Sequence, residues 1–279
     1  VQCVTSTGRL SSGRLSSRNP NFQNMPRGKT FPVRRAVVSR FEGGKILEGD
    51  YAQLEYRVAG FLSKDKHVYD NVESGVDVHN LTATIITGKE KEEITSEERQ
   101  DAKAHTFAPL YGATGMGLPE HIHRYYYQFT DVYPGIGEWH LRLAQEALKY
   151  KVISLPSGRE YRFPYVKRTA RGITHGTSVK NYPVQGFATA DLLPSALVLT
   201  FEEFKKKKLK SLLCNTVHDS IVVDVHPDEE EIVIETLKEC MLSIPQQAKR
   251  RWGINYDMPV GIELKIGSNW LDTKEIFSN

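Results

Sequence analysis

Cysteine is scarce, and Cys3, Cys214 and Cys240 lie far apart with no CxxC pair among them. That spacing argues against a disulfide framework. With no histidine at ligand distance it also argues against a zinc site. Idle thiols suit a reducing compartment. No uninterrupted apolar run approaches the roughly 18 residues of a membrane helix. The richest, Leu192–Phe201, is short and holds Pro194. No basic-then-apolar leader opens the chain. The expectation is a soluble, cytoplasmic protein with no membrane partner. Net charge is small as well, at +3, too little to announce a nucleic-acid partner by itself.

What is present is ordinary in amount and informative in order. The 279 residues suffice for one large domain or two smaller ones. Lys and Arg concentrate in the first forty residues, around Lys149–Arg171, at Lys205–Lys210 and near Lys249–Arg251, whereas acid collects at Lys89–Glu98 and Asp228–Glu231. Local basic stripes on a near-neutral chain are compatible with a DNA-lined cleft, but a solvated surface explains most single runs equally well and is the better account of Lys205–Lys208. Residues 1–30 read as loop, with GRLSS in tandem at Gly8–Ser12 and Gly13–Ser17.

Two strand-like runs, Ala36–Phe41 and Lys45–Tyr51, are joined by a Glu-Gly-Gly turn. Helical periods follow at Gln53–Leu62, Val78–Ile86 and Glu97–Tyr111, the last with Thr95 and Ser96 as caps and Pro109 as a kink. Leu118–Tyr150 reads as two helices broken at Tyr133-Pro134-Gly135. Val152–Tyr165 reads as a hairpin and Val184–Phe204 as a long helix. Leu212–Val217 and Ser220–Val225 form a hairpin around His218-Asp219, then come a helix at Glu229–Ser243 and a closing strand at Val260–Ile266. This pattern is α+β with an inserted helical subdomain.

Asp50 ends a strand and Asp219 sits at a hairpin tip. Two such carboxylates brought together repel unless cations separate them, and hard divalent ions meet that need. Either aspartate alone is ordinarily a turn or cap residue. Arg99, Lys103, Phe107 and Tyr111 recur every fourth residue and so share one helix face. Two cations and two aromatics suit a nucleotide, with phosphates on the cations and rings near sugar or base. A plain amphipathic helix shows the same spacing.

The order of motifs resembles family A DNA polymerases over essentially the whole chain. TGRLSS followed by PNFQNMP, within Thr7–Pro26, resembles that family's primer-template loop. Asp50-Tyr-Ala-Gln-Leu-Glu-Tyr-Arg57 resembles motif A. Arg99-x3-Lys103-x3-Phe107-x3-Tyr111-Gly112 resembles motif B, and Val217-His218-Asp219 opens motif C. The resemblance implies an antiparallel palm sheet at 1–62 and 176–279 with helical fingers at 63–175. It implies two Mg²⁺ ions held by Asp50, Asp219 and the Tyr51 carbonyl, and transfer of dNMP to a primer 3′-hydroxyl. Gln53, Glu55, Arg99, Lys103, Phe107 and Tyr111 would bind the dNTP, with Glu55 as a gate against ribose and Lys103 as a proton donor to pyrophosphate. Arg14, Asn21, Gln23, Asn24, Asn181, Gln185 and His218 would contact primer-template DNA.

The chain also departs from the family. Ser220 replaces the glutamate that usually follows the motif C aspartate, Thr177 stands where many members have arginine, and Ala108-Pro109 replaces Gly-Leu. The duplication leaves Arg9 and Arg14 as rival primer contacts, with Arg14 at the usual distance from Pro20-Asn21. Only Val1–Thr7 precede the primer-template loop, so the expectation is a thumb, and any exonuclease, supplied by another segment or chain. A single-subunit RNA polymerase and a non-catalytic DNA-binding fragment are the rival readings, and Glu55 argues against the first.

Overall fold

A computed structural model describes residues 2–3, 12–18, 21–26, 30–170 and 172–279, with backbone only for Gln2, Cys3 and Arg18. Gly8–Ser11 of the first GRLSS copy, Thr7, Pro20 and the Cys3 side chain therefore lie outside the described residues.

Along the chain the main elements are strand β1 (Lys45–Tyr51), then helices α1 (Leu54–Ser63), α2 (Lys66–Glu73), α3 (Val78–Thr87) and α4 (Ser96–Thr106). Helices α5 (Glu120–Val132), α6 (Pro134–Tyr150), α7 (Gly176–Gln185) and α8 (Leu193–Lys206) follow. Strands β2 (Leu212–Val217) and β3 (Ser220–Val225) precede α9 (Glu230–Leu242) and α10 (Ile244–Trp252). Strands β4 (Ile262–Gly267) and β5 (Thr273–Ser278) come last. The chain divides into two compact units: 1–54, 185–256 and 260–279 form the first, and 55–184 with 257–259 the second. The motif order places the boundaries at 62 and 175 instead. From Glu55 on, helix α1 belongs to the second unit, where Gly60 packs against Val68 and Met258, and Arg57 donates to the Pro259 carbonyl at 2.8 Å.

The first unit is built on an antiparallel sheet in the order β5-β4-β1-β3-β2. Residues alternate between its faces. Leu47, Gly49 and Tyr51 share one face with Ile221, Val223, Ile262 and Leu264, all in register. Leu47, Ile221, Val223 and Leu264 are each 0% exposed, and burying each such side chain is worth roughly 1.5–3 kcal/mol. Helix α9 presses on this face so closely that a Cβ at Gly49 would stand 2.5 Å from the Met241 sulfur. The opposite face carries Ile46, Glu48, Asp50, Ser220 and Val222, and Ile46 and Val222 join Val217 and Trp270 in an apolar cluster.

In the second unit, α3, α4, α5 and α6 surround buried Tyr125, Phe129, Tyr133, Ile136 and Leu110. Asp65 caps α2 through the Val68 amide at 3.1 Å and, with its other oxygen, accepts from the Ile136 amide of α6, also at 3.1 Å. Pro134 opens α6, as the turn signal predicts.

Three elements differ from the sequence expectation. Ala36–Phe41 is no strand: Val33–Ala36 is a 3₁₀ turn, and only Val38 bridges, to Asn269. The position beside β1 is taken by β4, whose Ile262, Leu264 and Ile266 bury on the helix face. The helix expected at Glu97–Tyr111 stops at Thr106. Pro109 has no amide to donate and opens a 3₁₀ turn, Pro109–Tyr111, instead of kinking an α-helix. The helix expected from Val184 begins at Gly176 and runs to Lys206 through a π segment, Gly186–Leu192. There Leu193 N–H reaches back to the Ala188 carbonyl, and Pro194 has no N–H to offer Ala190. By length and composition 176–206 could cross a membrane, but 61% of its most apolar window is buried inside the fold, as in a core helix.

Candidate active site

Asp50 is the penultimate residue of β1 and lies directly across from Ser220, the first residue of β3. The Tyr51 amide donates to the Asp219 carbonyl at 3.2 Å. The two aspartates are thus one ladder step apart diagonally, with Cα atoms on the order of 6 Å from each other. The sequence separates them by most of the chain, and sheet pairing brings them together. His218, in the turn before Asp219, adopts φ +56°, a left-handed conformation that costs a residue with Cβ roughly 1–2 kcal/mol. The Tyr51 phenol is buried on the helix face and donates to the Met241 carbonyl at 2.9 Å. Burial, then the neighbouring Cys240, pushes its pKa well above the usual phenol range. Only the backbone of Tyr51 is left to serve a ligand. Gln53, also left-handed at φ +53°, turns the chain from β1 into α1.

Three expected DNA contacts of the first unit line one small cavity: Arg14, Gln23 and His218, together with Leu15, Thr189, Leu193 and Thr216. Arg14 Nε donates to Thr189 Oγ1 at 3.4 Å, and Gln23 Nε2 donates to the Thr216 carbonyl at 3.0 Å. Asn21 caps the Phe22–Asn24 turn by accepting from the Gln23 amide at 3.1 Å, and Asn24 is exposed. Gln185 offers its carbonyl to Thr189 Oγ1 at 2.7 Å. In the second unit, Asn181 Oδ1 is buried without a hydrogen-bond partner among the described residues.

The second unit holds the stripe on α4. Thr95 and Glu98 form a reciprocal capping box that starts the helix: the Glu98 amide donates to Thr95 Oγ1 at 3.2 Å and the Thr95 amide to Glu98 Oε2 at 2.9 Å. Arg99 Nε donates to Asp77 Oδ2 at 2.6 Å. Lys103 is exposed and makes no ion pair among the described residues. Phe107, just past the helix, lies 5.3 Å from the His79 ring and 5.9 Å from that of Tyr56. The Tyr111 hydroxyl donates to Glu55 Oε2 in the first turn of α1. Gly112 follows at φ +83°, where any Cβ would stand 2.6 Å from Lys180 Cδ. Glu55, Arg99, Lys103, Phe107 and Tyr111 therefore belong to one compact unit, although Tyr111 is displaced from the regular stripe by the Pro109 turn.

Two residues of this region escaped the sequence reading. Asp77 caps α3 through the His79 and Asn80 amides at 3.0 and 3.2 Å while it holds Arg99. Burial opposes its charge, but the Arg99 hydrogen bond and those amides outweigh burial and leave its pKa below the usual carboxylate range. His79 Nδ1 lies 3.0 Å from Thr106 Oγ1, and burial keeps the ring's pKa below that of a free imidazole. An Asp before a helical run was a legible cap signal, but its pairing with Arg99 was not. Among the described residues, Cys214 and Cys240 are free.

The model for DNA polymerase family A matches residues 1–272. DNA polymerase I of Aquifex aeolicus is 33% identical over 272 residues, covering 93% of this chain and 44% of that protein. DNA polymerase I of Lactococcus lactis subsp. cremoris is 31% identical over 289 aligned residues, covering 98% and 31%. Among solved structures, the POL domain of Pol1 from M. smegmatis, in complex with DNA primer-template and dNTP, superposes with a TM-score of 0.80 at 25% identity. That match covers 94% of this chain and 46% of the other. The chain thus spans less than half the length of each of these proteins. Its antiparallel sheet with an inserted helical unit is the fold of that domain, and the chain belongs to DNA polymerase family A.

Proposed function

We propose that this chain carries the palm and fingers of a template-directed DNA polymerase, acting in the cytoplasm on primer-template DNA and dNTP. The observation that carries the reading is the placement of Asp50 and Asp219 at neighbouring ladder positions. Two carboxylates and a backbone carbonyl form an all-oxygen donor set, which suits Mg²⁺. Mg²⁺ characteristically takes one or two carboxylates and completes its shell with water and substrate phosphates. Among the described residues no third His, Cys, Asp or Glu joins a metal-binding group, so phosphate oxygens fit the remaining positions. The residues present fit the ions, with Asp50, Asp219 and the Tyr51 carbonyl as holders. Bound there, a pair of divalent ions would supply activation of an attacking hydroxyl and neutralisation of charge on the leaving group.

The chain's own residues do the rest. Arg99 and Lys103 take the triphosphate, which for Arg99 requires the nucleotide to compete with Asp77. Lys103, exposed and without an ion pair among the described residues, is the proton donor to pyrophosphate. Phe107 packs on the sugar or base of the incoming nucleotide, Gln53 is a further nucleotide-binding residue, and Tyr111 holds Glu55, the gate against a ribose 2′-hydroxyl. Arg14, Asn21, Gln23, Asn24, Asn181, Gln185 and His218 follow the DNA minor groove, whose acceptors are similarly placed in every base pair, so they sense pair shape without reading sequence. A DNA-gripping segment outside these residues belongs to the same proposal.

The test is primer extension with Mg²⁺, comparing the chain and its Asp219→Ala variant, with dNTPs and with rNTPs, in the presence of the natural upstream segment. Template-directed dNMP addition that the variant loses is the expected result. DNA binding without incorporation in the unaltered protein overturns the reading in favour of a binding module. Preference for rNTPs overturns it in favour of an RNA polymerase.

A further inference from the structure

Within the first unit, one carboxylate beside the aspartate pair has no part in the function proposed above. Glu48 lies two residues before Asp50 on β1 and so projects from the same sheet face. Its Oε1 accepts a hydrogen bond from Ser220 Oγ at 3.2 Å, and Ser220 is the residue directly across from Asp50. Arg34 stands on its other side, with a guanidinium nitrogen 3.8 Å from the same oxygen. These groups are almost withdrawn from water: the side chains of Arg34 and Glu48 are 4% and 12% exposed, and Ser220 is 0% exposed.

Arg34 is not a mobile counter-ion. Its Nε donates to the Met25 carbonyl at 3.2 Å, and its guanidinium lies 4.1 Å from the centre of the Trp270 ring. Ser220 is equally fixed, because its hydroxyl also contacts the Val217 carbonyl at 3.1 Å. Along the other flank of β1, Glu263 stands across from Asp50 and Lys265 across from Glu48, and these two pair with each other at 2.6 Å. Lys265 is thereby engaged by its own strand neighbour.

We infer that Glu48 is a positioning residue for the divalent-cation site. Through Ser220 it braces the strand start that follows Asp219, and its charge adds to the field at Asp50, raising affinity for the cation. The inference rests on the reading of Asp50 and Asp219 as cation holders. A carboxylate placed from β3 at position 220, with position 48 emptied, would occupy the same space from the opposite strand. The role is therefore transferable across the ladder, whereas a purely structural partner of Arg34 would leave cation affinity where it was.

The probe is Mn²⁺, titrated into the protein with primer-template present and followed by the loss of free-ion paramagnetic resonance signal. Circular dichroism melts identify any unfolded variant. Glu48→Gln keeps the size and a hydrogen-bond acceptor and removes the charge; it is expected to weaken Mn²⁺ binding roughly tenfold to hundredfold, the usual effect of losing an outer-shell partner. Glu48→Ala is expected to do the same, and Glu48→Ala with Ser220→Glu to recover affinity to within about threefold of the parent, judged against that outer-shell range. Unchanged affinity in Glu48→Gln overturns the inference, as does a folded double variant that recovers nothing. Asp219→Ala separates the two levels. If it binds Mn²⁺ as the parent does, the aspartate reading itself fails, whatever Glu48 does. If it loses binding while Glu48→Gln keeps it, only the role of Glu48 fails.

Discussion

The Tyr111 hydroxyl donates to the Glu55 carboxylate, joining the turn that follows α4 to the first turn of α1. The two residues lie 56 positions apart in the chain. The bond gives an aromatic ring and the carboxylate proposed as the gate a common position, so a change in one is felt by the other.

Tyr111→Phe removes the donor and leaves the ring. Hydrogen bonds to charged groups contribute about 1.5–3 kcal/mol, and a loss at the lower end of that range is expected, since both residues are only half-buried. Urea unfolding measures it. The same variant should discriminate less sharply against rNTPs, and Glu55→Ala less sharply still, in single-nucleotide incorporation assays. Selectivity unchanged in both variants would remove Glu55 from the gate.

Asp50→Asn and Asp219→Asn should each lower incorporation by at least about a hundredfold, comparable to deleting a group that stabilises transition-state charge. Melting temperature should stay at or above that of the parent, because two like charges on adjacent strands destabilise the fold when no cation lies between them. Calorimetry and primer extension on the same preparations check both halves.

Gly49→Ala tests the packing that carries Asp50. The added methyl would meet Met241 Sδ at 2.5 Å, Leu264 Cδ2 at 3.0 Å and Leu237 Cδ2 at 3.2 Å. Overpacking of this kind costs about 1–3 kcal/mol. Adding Met241→Ala opens the space, so the double variant should be more stable than the sum of the single losses predicts. Strict additivity would mean that β1 and α9 do not press on each other at this point.

His140 predicts a pH dependence. A carbonyl can only accept, so its Nε2–H donates to Leu110 O at 3.0 Å, steadying the turn that presents Tyr111. Burial, then nearby Lys180, pushes the imidazole pKa down from 6.5 to about 3, against the upward pull of the Leu110 carbonyl. On acidification the unfolded chain takes up this proton near pH 6.5, whereas the folded chain refuses it until about pH 3. Stability is therefore full above pH 6.5 and falls as pH drops below it, by about 1.4 kcal/mol per unit, or about 2 kcal/mol by pH 5. His140→Gln keeps a donor for Leu110 and does not titrate. Its chemical unfolding measured between pH 5 and 7 should show a shallower slope than the parent's. An equal slope would place the acid sensitivity elsewhere.

The sequence by itself determined whatever depends on residues a few positions apart. The Thr95–Glu98 capping box, Pro134 opening α6, and the alternation that makes Lys45–Tyr51 a strand are local signals with local causes. The spaced motifs were legible for the same reason, since each is a short run whose chemistry lies in its own order. Ala36–Phe41 misled because β-branched residues make any extended run resemble a strand. Only register decides which run pairs with β1, and β4 offers a better buried face. Tertiary structure alone decided the contacts that cross the ladder or join helices. Arg99 meets Asp77, Tyr111 meets Glu55, and Glu48 meets Ser220 from 172 positions away. Such pairs carry no mark in either segment, because what unites them is the burial of apolar faces elsewhere, and the polar groups meet where that packing leaves them.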